Sequence, residues 1–122
     1  MKTIDNYTIE ITEEEFCGDN DRFGLSFDST LEKCREIYRE LIKNPEYDPK
    51  QKIKIRVLGP RRAINKGTGI SKLMSIYNKL RHSSRKKPKI VFQTDYWWAR
   101  MDIFKIMGLD DRLSVEPLVK SQ

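Results

Sequence analysis

The sequence predicts an α/β domain built on a mixed, mostly parallel sheet with helices packed against it. Three observations lead there. Short runs alternate apolar and polar residues, while longer stretches between them carry apolar residues at helical spacing. In the second half the two patterns take turns, an order that favours parallel strands joined by right-handed crossovers. The chain has 122 residues, 38% hydrophobic and 34% charged, with no linker or repeat, so residues 1–122 read as one domain.

In chain order, Tyr7–Ile11 alternates through Tyr7, Ile9 and Ile11 and reads as a strand. Gly18-Asp19-Asn20-Asp21 reads as a turn. Phe23, Leu25 and Phe27 alternate again, predicting a second strand that closes a hairpin with the first. Ser29-Thr30-Leu31-Glu32 has capping-box form, and Leu31, Cys34, Tyr38, Leu41 and Ile42 form the stripe of a helix that stops near Lys43, before Pro45. Ile53–Leu58 is a strand, Gly59–Gly69 a basic loop, and Ile70, Leu73, Met74, Tyr77 and Leu80 mark a second helix. After the polar connector Arg81–Lys89 come a short strand at Lys89–Gln93 and a third helix carrying Trp97, Met101, Phe104 and Met107, closed by Gly108. Leu113–Val115 reads as a last strand, so the expected order is β-β-α-β-α-β-α(-β).

Composition narrows the function classes. No apolar run approaches the ~20 residues of a membrane span, and the first residues lack the basic-then-apolar order of an export signal. Cys17 and Cys34 have no metal-ligand spacing and read as reduced thiols, so the expectation is a cytoplasmic protein without metal or cofactor. Charge is unevenly spread: residues 1–50 hold 13 acids and 7 bases, residues 51–122 hold 5 acids and 17 bases. The basic half could track phosphates, which makes nucleic-acid binding the alternative function.

Nothing in the sequence sets up catalysis. His82, the one histidine, lies in the polar connector with no serine or carboxylate arranged beside it. Glu13-Glu14-Glu15 reads as a solvated turn, since consecutive residues do not converge on one ion. The loop from Arg61 to Gly69 is richer. It supplies the cations Arg61, Arg62 and Lys66, the glycines Gly67 and Gly69, and the N–H groups of a helix start, which are the ingredients of an anion site. It is no Walker A loop, because Lys66 precedes Gly67 instead of following a glycine and preceding Thr68. Residue preference makes Thr68 the expected N-cap of the second helix. On a helix, Trp97 shares a face with Met101 and Phe104 and reads as core, leaving Trp98, with Tyr96, as the interface aromatic.

Ile53–Leu58, then Gly59, a loop ending in Gly69, and the run Ile70-Ser71-Lys72-Leu73-Met74-Ser75-Ile76-Tyr77-Asn78-Lys79-Leu80 resemble the central segment of the STAS domain. That is the domain of anti-sigma-factor antagonists and sulfate-transporter tails. Ile106-Met107-Gly108-Leu109-Asp110-Asp111-Arg112-Leu113-Ser114-Val115 resembles the family's closing helix and strand, and Leu25-Ser26-Phe27-Asp28-Ser29-Thr30 sits where the family has a strand, an acid and a helix cap. The resemblance implies a bacterial regulatory module that binds a kinase or ATPase and has no activity of its own. In the family, an Asp-Ser-Ser/Thr-Gly stretch opens the second helix and its first hydroxyl is phosphorylated. Here that stretch is Lys66-Gly67-Thr68-Gly69, so the acceptor position is a glycine, and a family acid in the preceding strand falls on Arg56. The usual phosphoswitch is therefore not expected, and Thr68 is left as the candidate phosphoacceptor. The implied docking face comprises Arg61, Arg62, Lys66, Gly67, Thr68, Gly69, Ser71, Lys72 and Ser75, and its charge calls for a partner with an acidic surface.

Overall fold

The computed structural model describes residues 2–3, 7–18, 26–83, 89–101, 104 and 112–118. They form β1 (Lys2–Thr3), β2 (Thr8–Ile11), α1 (Glu13–Cys17), α2 (Phe27–Lys43), β3 (Ile53–Val57), α3 (Lys66–His82), β4 (Ile90–Thr94), a 3-10 turn (Trp97–Met101) and β5 (Leu113–Glu116). The strands lie in sequence order, β1-β2-β3-β4-β5, with β1 antiparallel to β2 and the other pairs parallel. The α/β class and the mixed sheet are as the sequence predicts.

Sequential order has a consequence. The crossovers β2–β3 and β3–β4 step the same way across the sheet, and right-handed crossovers stepping one way put their helices on one face. Accordingly α2 and α3 lie side by side, joined by an ion pair between Glu32 and Lys79. The pleat then sorts the strand residues. Ile9, Ile55, Phe92 and Val115 form one inward row across four strands, all buried in the core with Cys34, Tyr38, Leu73 and Ile76. Glu10, Arg56, Gln93 and Glu116 form the neighbouring outward row, tied by the Gln93 amide donating to Glu116 at 2.7 Å and by Arg56 at 3.9 Å from Glu10.

Several expectations are corrected. The antiparallel partner of β2 is Lys2–Thr3, before it in the chain, and the predicted strand Phe23–Phe27 does not form one: Phe27 opens α2, while residues 19–25 lie outside the described residues. Ser26, not Ser29, caps α2, its hydroxyl accepting from the Ser29 N–H at 3.2 Å. The helix starts that early because Phe27 meets the Phe16 ring edge-on, centroids 6.2 Å apart. Glu13-Glu14-Glu15 is no solvated turn. It is the body of α1, which is capped by a reciprocal Thr12–Glu15 box, with Glu13 and Glu15 buried.

Helix α3 begins at Lys66 rather than Ile70, because Asn65 takes the capping role read at Thr68: its side-chain oxygen accepts from the Thr68 N–H at 2.8 Å. The helix also runs to His82, into the predicted connector. Of the predicted third helix, the described residues show a 3-10 turn at Trp97–Met101 and buried, helical Phe104; Met107 and Gly108 lie outside the described residues.

Candidate functional site

Parallel strands bring the segments that follow them together at the carboxyl end of the sheet. Here β2 runs into α1, β3 into the loop 58–65, and β4 into the turn at Asp95–Trp97, so three segments meet at one end of the sheet. The loop is fixed from beneath by Glu13, the first residue of α1. Its carboxylate accepts the Arg62 N–H at 3.2 Å and the Arg61 N–H in a shorter bond, with the Tyr96 hydroxyl at 3.5 Å. Gly59, at φ 127°, lies against the same carboxylate, where a Cβ would collide with it. The backbone N–H groups of Arg61 and Arg62 thus bind a carboxylate. The anion is the chain's own.

A second support holds α1. Lys72 donates its ammonium protons to the carbonyls of Phe16 at 2.8 Å and Cys17 at 2.7 Å, and lies 4.4 Å from the centre of the Phe27 ring. It thus caps the carboxyl end of α1. Buried Tyr96 stacks on Trp98 with centroids 5.5 Å apart and planes 7° from parallel, and Trp98 Nε1 donates to the Ile64 carbonyl at 3.4 Å. Gly69 makes room for this indole: a Cβ there would lie 2.7 Å from Trp98 Cε2 and 3.0 Å from Cη2.

The two tryptophans therefore exchange the roles read from helical spacing. Trp98 is fully buried, Tyr96 is buried with it, and Trp97 is 59% exposed. A 3-10 turn advances about 120° per residue instead of 100°, so the periodicity that assigned Trp97 to the core does not apply. The exposed Trp97 borders a crevice of about 330 Å³ whose other walls are Pro60, Arg61, Arg62, Ile64 and Asp95. Asp95 is held in place by accepting the Leu118 N–H at 3.0 Å. Behind the loop, a smaller hollow of about 230 Å³ is lined by Cys17, Arg62, Asn65, Thr68 and Lys72.

Of the residues expected on the docking face, Arg61, Lys66, Gly67, Thr68 and Ser71 are exposed, and Arg62 is half-buried. Gly69 is buried under Trp98, Lys72 is engaged with α1, and the Ser75 hydroxyl donates back to the Ser71 carbonyl at 3.0 Å. Lys79, one of the bases of the second half, is bound to Glu32, whose carboxyl that contact holds below its ordinary range. Arg85, Lys86 and Lys87 lie outside the described residues. Glu13, Asp95 and Trp97 are not signalled as site residues by the sequence, and Tyr96, read with Trp98 as an interface aromatic, is buried. The Thr12-x-x-Glu15 capping pattern is the one sequence cue that places Glu13 on a helix start.

Burial, followed by the charge of nearby Glu13, pushes the Cys17 thiol up despite hydrogen bonding with Tyr96, so it is not an activated thiolate. Burial first, and then Cys17 and Glu13, push the Tyr96 phenol up in the same direction. Among the described residues, no group of three or more His, Cys, Asp or Glu side chains could hold a metal ion, and no helix is long and apolar enough to cross a membrane. No protein-family model, curated protein or solved structure matches the chain.

Proposed function

We propose that this chain is a non-catalytic regulatory binding module, STAS-like in the resemblance of its sequence, that docks an acidic surface of a protein partner at the carboxyl end of its sheet. The docking face would comprise the loop 59–65, the first turns of α3 and the Asp95–Trp97 turn. The observation that carries this reading is the exposed Trp97 beside Arg61 and Arg62 over a crevice of about 330 Å³. Trp and Arg are the residues that most often anchor protein interfaces, and an indole left 59% in water favours a partner that covers it. Glu13 fixes the loop before any partner arrives, so little ordering cost remains for binding.

Protein recognition is favoured over nucleic-acid binding by the use the fold makes of its cations. Lys72 and Lys79 are spent on α1 and α2 instead of standing along an open phosphate track. In this reading Thr68, exposed in the first turn of α3, is the candidate phosphoacceptor. A phosphate there would face Arg62 and Lys72 across the smaller hollow and be neutralised, not used to repel a partner. The module acts in the cytoplasm and needs no cofactor.

The test is affinity capture of tagged protein from its native lysate, with and without nuclease, alongside a Trp97→Ala variant and an Arg61→Glu, Lys66→Glu double variant. A stoichiometric protein that survives nuclease and is lost with both variants supports the proposal. Recovery that is nuclease-sensitive and falls steeply with salt would replace it with nucleic-acid binding.

A further inference from the structure

Among the described residues, α2 and α3 pack side by side on one face of the sheet, with α2 on the β2 side. Helix α2 lies between β2 and β3 in the chain, and its flank turned away from α3 overlooks β2, whose other neighbour among the described residues is the two-residue β1. Between that flank and the strand lies a groove of about 460 Å³, larger than either hollow at the other site. Its apolar lining is Ile37 and Leu41 on the helix, both half-buried, over a floor formed by Ile9 of β2, which is itself buried. Glu36, Glu40 and Asn44 stand along the lip, all three exposed.

The charge on that lip says what fits. Glu36 and Glu40 are four residues apart on one helix, a spacing at which like charges repel and oppose the helix. The balancing cation at Glu40 is Lys43, 3.9 Å away, with both partners mostly in water, where an ion pair contributes little. A cation arriving from outside would relieve the repulsion. The lip from Glu36 to Asn44 spans about 12 Å at 1.5 Å per residue, roughly two turns of a helix laid alongside. We propose that this groove is a second docking site, and that it takes a basic amphipathic helix from a partner protein. Two apolar side chains at i and i+3 or i+4 enter between Ile9, Ile37 and Leu41, and Lys or Arg residues reach Glu36 and Glu40. The site is separate from the Trp97 crevice and does not depend on the function proposed there.

The experiment uses the whole chain, isotope-labelled for NMR, and two probes: an 18-residue amphipathic helix of Leu and Lys, and its Leu and Glu counterpart. The expected result is saturable shifts at the Ile9, Ile37 and Leu41 methyls with the Leu/Lys helix. Affinity should fall about ten-fold or more in a Glu36→Lys, Glu40→Lys variant, as two lost charge contacts would give. A Glu14→Lys, Glu46→Lys variant makes the same change of net charge at exposed positions elsewhere, and should bind like the parent. All four substituted positions are exposed, so both variants should fold, as circular dichroism would verify. The proposal is overturned if the Leu/Glu helix binds as well, if both variants bind alike, or if the methyls do not move. It is equally overturned if the protein alone sediments as a dimer that the Glu36→Lys, Glu40→Lys variant dissolves, since the occupant would then be a second copy of this chain.

Discussion

The carboxylate of Glu13 accepts the backbone N–H groups of both Arg61 and Arg62, so an acid from the first helix fills the anion-binding turn of the loop after β3. This contact decides what the basic loop can do. The backbone donors of Arg61 and Arg62 are used internally, and the Arg61 side chain is exposed.

Glu13→Ala should therefore destabilise the protein by roughly 1–3 kcal/mol, the usual cost of leaving partly buried donors without their acceptor. Urea unfolding measures it. Because the loop would loosen, emission from Trp97 at the crevice wall should also change under native conditions. A variant as stable as the parent would mean that Glu13 is not the loop's anchor.

The two glycines that flank Thr68 should behave in opposite ways. A Cβ at Gly67 meets nothing nearer than the Asn65 side-chain oxygen at 3.7 Å, whereas one at Gly69 runs into the Trp98 indole. Gly67→Ala should be neutral or stabilising by up to about 1 kcal/mol, since alanine costs less backbone entropy in a helix. Gly69→Ala should cost about 1–3 kcal/mol, because the overpacked indole has no open side to move into. Thermal denaturation of the two variants separates them.

The tryptophan exchange yields a similar contrast. Trp98→Ala should cost about 3–5 kcal/mol, as truncation of a fully buried aromatic does. Trp97→Ala should change stability by less than about 0.5 kcal/mol, being a surface substitution. Partner capture should show the reverse order of sensitivity, with folded Trp97→Ala protein losing the partner.

Which features were legible follows from where their causes lie. The strands Ile53–Val57 and Ile90–Thr94 and the stop of α2 at Lys43 depend on local pattern, and the sequence predicts each to within a residue. The expected hairpin fails because alternation at Phe23–Phe27 says nothing about which neighbour pairs with β2. The ring contact between Phe27 and Phe16 draws that residue into a helix instead. The Ser/Thr-x-x-Glu pattern occurs at both Thr12–Glu15 and Ser29–Glu32, and only the first is used as a capping box. Arg61, Arg62 and Lys66 were found through charge and glycine content. Glu13, Tyr96 and Trp97 join them only through contacts spanning tens of residues, which periodicity does not carry. For Trp98, the deciding partner is the missing side chain of Gly69.

Lys72 offers a prediction about α1. Lys72→Met keeps the apolar stem but removes the donors to Phe16 and Cys17, leaving two helix-end carbonyls without them. Stability should drop by roughly 1–3 kcal/mol. The thiol of half-buried Cys17 should react faster with a thiol reagent, while Cys34, fully buried in the core, should remain protected until global unfolding. Equal labelling rates for Cys17 in the parent and the variant would show that Lys72 does not secure the end of α1.

Alkali should weaken the fold in a way that points to Cys34. Burial, with a smaller contribution from the charge of Glu15, pushes its thiol from the ordinary 9.0 up to about 12. Above 9.0 the unfolded chain releases this proton while the folded protein keeps it, so the folded state binds more protons and stability falls as pH rises. The stabilising contribution is complete below 9.0 and declines toward 12, at about 1.4 kcal/mol per pH unit for this one group. Tyr47, pushed up to about 12 chiefly by burial, adds a decline of the same sign that begins near its ordinary value of 10.0. Between 9.0 and 10.0 the thiols are thus separable from the tyrosines. Urea midpoints measured across that interval should fall less steeply for Cys34→Ala than for the parent, even though the variant starts from lower stability. Parallel slopes would mean that Cys34 ionises alike in the folded and unfolded chain, which a thiol sealed beneath α2 cannot do.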